Sequence, residues 1–413
     1  MVNIMLKIIN SIIWSIALVF IMYSSLLLTK KLKFKQFKTF KTIKIIFKNS
    51  LAFKSLMMSL GSRIGVGSIA GVSLAIFLGG KGTIFWMWIS AILGSIITYS
   101  ETYLAIKYKN EIGGPFMYIK NGLNNKKLAY IYAFIIIISY LFGFASIQSN
   151  TITKSFNEIT NLPLYIIGIL LTILVALVIF KKLNIIVNIV SKIVPIILII
   201  YIFITIIIIF KNFSIIPDIL LSIIKDAFKL KPFLSGFIST LIIGVQRGIF
   251  SSEAGVGTCS ISSSTIGYDD IKSNASIQIL SVYITTLFIC TITSLVILTS
   301  NIDISNLNNI NGIEIIQKSF EYHLNNFGDY FILIIIFLFS FSTILTGYYD
   351  SEISYKYITK KSLKILKIST VLSVFIGSIS SSIVIWNIVD ILVAILSIIN
   401  IYAIFKLKNE IKI

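Results

Sequence analysis

Two short stretches concentrate groups able to bind a solute through backbone alone. The first is Gly61-Ser62-Arg63-Ile64-Gly65-Val66-Gly67-Ser68, followed by Gly71, Gly79 and Gly80. The second is Gly244-Val245-Gln246-Arg247-Gly248-Ile249-Phe250-Ser251-Ser252-Glu253-Ala254-Gly255-Val256-Gly257-Thr258. Both lie inside long apolar runs, where glycines and hydroxyls favour local unwinding of a helix. Hydrocarbon tolerates such unwinding only where it lines a cavity or is buried in protein. An unwound helix offers free N–H groups and a positive dipole end to a carboxylate, and free carbonyls to an ammonium group or a small cation. The backbones of Gly65, Val66 and Gly67, and of Gly255, Val256 and Gly257, are therefore candidate contacts for a zwitterion. Close helix packing of the GxxxG kind, which Gly67 and Gly71 would serve, is the competing reading.

Other chemistries lack their residues. The single histidine, His323, falls in a stretch expected to be a polar loop, which excludes His-cluster metal sites and leaves no general base in the apolar segments. Cys259 and Cys290 stand in apolar surroundings without a CxxC pair and read as small packing residues. No HExxH, phosphate loop or paired acid cluster is present, so an enzyme is not expected. No cofactor is expected either.

The elements that must position these stretches follow from composition. Hydrophobic residues make up 56% and charged residues 13% of the 413, with a mean hydropathy of +0.95. Soluble domains carry roughly a quarter charged residues, so the expected solvent is a lipid bilayer. The net charge of +20 does not point to nucleic acid, because the lysines fall mostly in loops between apolar runs. Eleven apolar segments are expected to be helices: 8–29, 51–78, 83–107, 128–156, 163–180, 184–211, 234–266, 274–299, 327–356, 364–383 and 384–406. They are too long for barrel strands and show no strand alternation. The first is not followed by an A-x-A-like cleavage site and reads as a retained helix.

Charge orients the segments. Segment 30–54 carries nine lysines and no acid; loop 107–127, Lys181, Lys182, the five lysines of 356–367, and Lys406, Lys408 and Lys412 fall on the same side. The other side receives 154–162, 211–233 and 300–329, the last with Asp303, Glu314, Glu321 and Asp329. With eleven spans the N-terminus is expected outside and the C-terminus in the cytoplasm. Loop 267–273, with Asp269 and Asp270, is the exception to the basic side. The two glycine-rich segments recur five spans apart. After an N-terminal helix and basic loop (1–50), two five-helix halves (51–211 and 212–413) are expected, inverted because five is odd and each opening with a broken helix. Discontinuous helices in matching positions of two repeats point to a transporter binding site. One chain carrying such a repeat favours alternating access in a monomer over an oligomeric pore.

At GVGSIAGVSLAIFLGGKGTIFWMWISAILG (65–94), Glu101 and LAIKYKNEIGGPFMYIKNGL (104–123), the chain resembles the alanine or glycine:cation symporter family. The resemblance returns at QSN (148–150), GVQRGIFSSEAGVGT (244–258), FSTILTGYYDSE (341–352) and the Trp386–Asp390 region, and covers about residues 33–405. It implies a leucine-transporter-type fold with one extra N-terminal helix, and sodium-driven import of a small neutral amino acid across a bacterial cytoplasmic membrane. It implies that Gln148, Asn150 and Thr343 face the substrate, that Phe250 covers it, and that Arg247 and Glu253 form a structural or gating pair. For Gln148 and Asn150, interhelical hydrogen bonding is the alternative.

The chain departs from the family pattern at the site itself. Ser68 stands where the family has Asn in GTGN, Ser252 where it has Asn in SNEAG, and Lys81 where it has Pro in GGPG. Gly347 replaces a Trp, so a bulkier substrate is one expectation, unless Tyr348 or Tyr349 refills the space. Arg63 replaces a small polar residue about a dozen residues into its span, where a charge is costly and by default functional. It falls beside the expected ion site, formed around Ile64, Ser68, Ser342 and Thr343. Either its guanidinium substitutes for a bound cation, giving sodium-independent, proton-coupled or exchange transport, or it pairs with an interior acid such as Glu101. A non-transporting, sensor-like paralogue is a further alternative.

Overall fold

Helix is the only way for an apolar chain to satisfy its backbone in lipid short of a closed barrel, and the described residues contain helices and no strand. The structure is a computed structural model, and it describes residues 2–229, 235–302 and 312–413. Asp303 of the expected outer loop and Leu234 at the start of the seventh apolar segment lie outside the described residues.

The main helices are α1 (Val2–Lys31), α2 (Ser50–Arg63), α3 (Ala70–Gly79), α4 (Thr83–Lys107), α5 (Lys126–Thr160), α6 (Leu164–Ile179) and α7 (Leu183–Lys211). They continue as α8 (Ser235–Ser252), α9 (Thr258–Thr265), α10 (Ile271–Leu298), α11 (Gly312–Leu324), α12 (Asn326–Ile358), α13 (Lys364–Ile379) and α14 (Ser382–Lys406). Among the described residues, seven helices are long and apolar enough to cross a membrane: the part of α1 from Ile8, together with α4, α5, α7, α10, α12 and α14. The helix pairs α2/α3 and α8/α9, and the 16-residue helices α6 and α13, fall on the four remaining apolar segments of the sequence.

The polarity of the molecule is set for lipid. Leu170, Ile173, Leu177, Ile199, Phe203 and Ile376 are exposed on its outside, whereas hydroxyls and amides crowd the interior. Buried serines and threonines mostly return their proton to a carbonyl one turn back, as Ser59 does to Ser55 and Thr205 to Tyr201. That bond satisfies the hydroxyl where no water is present. Close packing falls to Gly244 and Gly248 of α8 and to Gly67, where a Cβ would lie 2.9 Å from the Phe250 ring and 3.3 Å from the Ser251 Cα, but not to Gly71. A methyl at Gly244 would lie 2.6 Å from the Thr83 carbonyl and one at Gly248 would strike Ser90, both on α4; at Gly71 the nearest atom is 3.5 Å away. The spacing of four puts both glycines on one face and lets the two backbones meet.

At the centre the two broken helices touch one another, α9 against α2, while α12 packs on α2, α5 and α7. Helix α1 lies outside this assembly against α14, where Trp14 is buried and its indole N–H donates to the Asp390 carbonyl at 3.0 Å.

Candidate functional site

The first break begins where α2 ends at Arg63. Ile64 (φ −88°, ψ 85°) and Gly65 (φ −138°, ψ −144°) leave helical geometry, and a single tight turn at Val66–Ser68 leads to α3. Three scaffold side chains take up the freed backbone. Gln148 of α5 accepts from the Val66 N–H at 3.0 Å, and the hydroxyls of Thr343 and Ser342 on α12 donate to the Gly61 carbonyl at 2.9 and 3.3 Å. A Cβ at Gly65 would sit 2.5 Å from the Thr343 Oγ1 and 2.9 Å from the Gln148 Oε1. Gly65 is thus the point at which backbone, Gln148 and Thr343 converge. Gly67 is covered by Phe250, whose ring stacks on Phe144 at 5.5 Å and tilts against Trp386 at 5.0 Å. Ser68 donates to the Arg63 carbonyl at 3.2 Å and meets the Ser251 hydroxyl at 2.8 Å, tying the first break to the second.

The second break runs from Glu253 to Gly257. Glu253 (φ 48°), Gly255 (φ 84°) and Gly257 (φ 88°) all occupy the left-handed region. A side chain at Gly257 would be strained there and would also collide with Tyr132. The freed carbonyls are again met from neighbouring helices: Asn400 of α14 donates to the Gly255 carbonyl at 2.9 Å, and the Tyr132 hydroxyl to that of Val256. Gly255, Val256 and Gly257 therefore face Asn400 and Tyr132, and are held by a different set of side chains from Gly65, Val66 and Gly67.

Several expected pairings take other partners. Asn150, two residues after Gln148 on α5, turns away from the break: it donates to the carbonyls of Gly377 and Ser380 at 3.0 and 2.7 Å and accepts from Ser382 at 2.5 Å. Two residues along a helix are about 200° apart, so Gln148 and Asn150 cannot share a cavity, and Asn150 instead fastens the α13–α14 turn. Arg247 pairs with Asp390 of α14, not with Glu253, and its guanidinium lies 4.6 Å from the Trp386 ring. Glu253 accepts from Ser62 at 2.9 and 3.1 Å and from Thr258. The space at Gly347 is filled by Tyr140 of α5, against whose ring a Cβ would collide, rather than by Tyr348 or Tyr349. Tyr348 points instead to Glu352 at 2.5 Å. The space beside Gly347 is thus occupied by the Tyr140 ring.

Arg63 is 2% exposed, and its Nη1 donates to the Gln278 carbonyl, at 3.3 Å, and to the Ser281 hydroxyl, both on α10. Its Nε and Nη2 have no hydrogen-bond partner. It forms no ion pair with Glu101 within 4.0 Å; Glu101 accepts from Asn400 at 2.9 Å and keeps its Oε1 unpartnered. Both partners lie on α10, apart from Ile64, Ser68, Ser342 and Thr343, the residues expected around an ion. Among the described residues no cluster of His, Cys, Asp or Glu could hold a metal.

The broken helices, their side-chain caps and the lipid-facing exterior are the parts of a carrier, and comparison with known proteins gives its kind. The sodium:alanine symporter family model matches residues 1–413. This chain belongs to that family. It is 32% identical to the amino-acid carrier protein AlsT of Bacillus subtilis over 87% of this chain and 78% of that protein. To the probable sodium/glutamine symporter GlnT of the same organism it is 31% identical, over 97% and 87%. With the sodium/alanine symporter AgcS of Methanococcus maripaludis the identity is 30%, over 97% and 94%. The family member described here is a multi-pass membrane transporter of the amino-acid:sodium symporter class.

Sequence reasoning missed Asp350, Tyr140, Asp390 and Asn400 as members of the polar interior. Asp350 and Asp390 carried a signal, each being an acid inside an apolar run. Tyr140 and Asn400 carried none, since a single tyrosine or asparagine in a long apolar segment is unremarkable.

Proposed function

We propose that this transporter carries a small neutral amino acid of the alanine or glycine type, by alternating access, with the substrate at the first break. The observation that carries this reading is the convergence of Gly65, Gln148 and Thr343, beside Gly67 under Phe250: hydrogen-bond donors and acceptors packed closely about an unwound backbone. The unwound Val66 and Gly67 N–H groups would meet the carboxylate once Gln148 gives way, while Thr343 and Ser342, with carbonyls of the break, would meet the ammonium. Residues 51–211 and 212–413 are proposed as the inverted halves, with the N-terminus outside and the C-terminus inside.

A second reading concerns coupling and rests on Arg63. Its guanidinium, on the Gln278 carbonyl and the Ser281 hydroxyl, supports replacement of a coupling cation by a fixed charge. Transport would then depend weakly on sodium. Purified protein in liposomes should take up labelled alanine and glycine, at similar rates with inward sodium and inward potassium gradients. Arg63→Thr should make sodium the better ion. Accumulation that strictly requires sodium in the unmodified protein would sink the replacement, and failure of both amino acids to move would sink the substrate class.

A further inference from the structure

Two buried carboxyls stand outside the roles given above, and one hydrogen-bonded chain joins them. Glu253 lies in the second break at 1% exposure, and Asp350 on α12 at 0%. Neither has a cation within 4.0 Å. The Ser62 hydroxyl of α2 lies 2.9 and 3.1 Å from the two Glu253 oxygens, the Tyr140 hydroxyl of α5 lies 3.5 Å from Ser62, and Asp350 Oδ2 lies 3.4 Å from Tyr140. The second Asp350 oxygen has no partner. The other ionisable groups facing the two acids are Glu101 of α4, Arg63 of α2, Tyr132 of α5, Cys259 of α9 and Tyr349 of α12.

We infer that Asp350, Tyr140, Ser62 and Glu253 form a proton relay that shares one proton between two carboxyls and binds it as a co-transported ion. Two like charges joined through hydroxyls in a medium of low dielectric favour a single shared proton over double ionisation. The relay balances without any co-reactant. When Asp350 gives its proton to the Tyr140 oxygen, the Tyr140 proton passes to Ser62 and the Ser62 proton to Glu253. The net result is one proton moved and every hydroxyl restored. Reversal of all three hydrogen bonds returns it.

The chain is placed so that conformation decides where the proton rests. Ser62 and Glu253 belong to the two broken helices, while Tyr140 and Asp350 belong to the unbroken α5 and α12. Within the broken-helix pair the contacts are short, and the two long ones, 3.4 and 3.5 Å, are those made by Tyr140. Movement of the broken helices against α5 and α12, the kind of rocking by which repeat-built carriers alternate, would part the chain at Tyr140 and leave the proton on one side. On the α12 side, Tyr140 and Tyr348 line one narrow cleft, and Tyr348 donates to Glu352 on the wall of an open 810 Å³ basin rich in lysine. The cleft is too narrow to hold water, so exchange of the proton with that basin would require the helices to part.

This inference rests on the alanine-carrier reading, and the test separates the two. Proteoliposomes are loaded with alanine at equal pH on both sides and without sodium, and labelled alanine counterflow is recorded. In a parallel set, net alanine influx is followed with an internal pH-sensitive dye. The expected result is counterflow together with internal acidification during influx. Asp350→Asn should keep counterflow within about twofold and lower alanine-driven acidification about a hundredfold, the lower end of what one positioned proton-transfer group contributes. Tyr140→Phe, which deletes only the linking hydroxyl, should lower acidification likewise. Counterflow without acidification in the unmodified protein would overturn the relay and leave the carrier reading standing. Absence of counterflow both without sodium and with equal sodium on the two sides would remove the carrier reading. The relay would then be judged by infrared difference spectra across a pH jump: a protonated-carboxyl band altered by both Asp350→Asn and Tyr140→Phe supports it, and spectra identical in all three proteins overturn it.

Discussion

Arg247 and Asp390 illustrate how charge is carried in this interior. The pair is buried on both sides, with Trp386 over the guanidinium and α1 closing the outside through Trp14. Removing one member leaves the other as an unpaired buried charge, which costs about 3–5 kcal/mol. Asp390→Leu should therefore lower the thermal midpoint in detergent strongly. Arg247→Met combined with Asp390→Leu should recover much of that loss, because well-packed apolar residues replace a buried ion pair at little cost. A double variant no more stable than the single would show that the charges are held by something other than each other. Gly347 gives a second test at this scale. Gly347→Trp places a large ring on Tyr140 and should abolish alanine uptake, while Gly347→Trp with Tyr140→Ala should restore folded protein, assayed by monodisperse elution. If Gly347→Trp alone behaves as the unmodified protein, Tyr140 is not what fills the site.

Among the elements, the breaks are the informative ones, and each is stabilised from outside itself. The carbonyls freed at Gly61, Gly255 and Val256 are taken by Thr343, Asn400 and Tyr132, so three intact helices hold the unwound backbone in place. The amphipathic helix α11 presents a different case at the molecule's edge. His323 near its C-terminus meets the Val296 carbonyl and the Thr299 hydroxyl, each at 3.1 Å from Nε2. Burial lowers its pKa from the ordinary 6.5, with Lys211 adding to the effect and the Val296 bond opposing it. The unfolded chain then binds the proton first as pH falls. Stability from this group is complete above about pH 6.5 and declines as pH falls through 6.5 toward the folded value. Melting curves from pH 8 to 5 should show a decline below about pH 6.5 that is smaller in His323→Gln; equal declines would assign it to other groups.

For the molecule as a whole, orientation is the testable property. Lys181, Lys356, Lys360, Lys361 and Lys367 gather at two adjoining basins between the α6–α7 and α12–α13 turns, of 810 and 530 Å³, a face that the positive-inside rule would put in the cytoplasm. The native cysteines, Cys259 and Cys290, are both buried and give little background. In intact cells a membrane-impermeant thiol reagent should label Asn161→Cys and spare Lys361→Cys, two exposed positions at opposite ends of α6 and α13 territory. The reverse pattern would invert the topology.

What the sequence by itself determined is what depends on local composition. Runs of about 20 apolar residues must be helices in lipid, the glycine-rich stretches around Gly65–Gly67 and Gly255–Gly257 favour breaks in them, and long family motifs name the family. The tertiary structure decided the partners. Whether Arg247 meets Glu253 or Asp390, whether Asn150 shares a cavity with Gln148 or faces the α13–α14 turn, and whether Tyr140 or one of Tyr348 and Tyr349 covers Gly347 depend on which faces of distant helices meet. Buried polar groups must find a partner, because hydrocarbon supplies none. In an interior this rich in hydroxyls and amides many partners are chemically acceptable, and only the packed arrangement of helices selects among them.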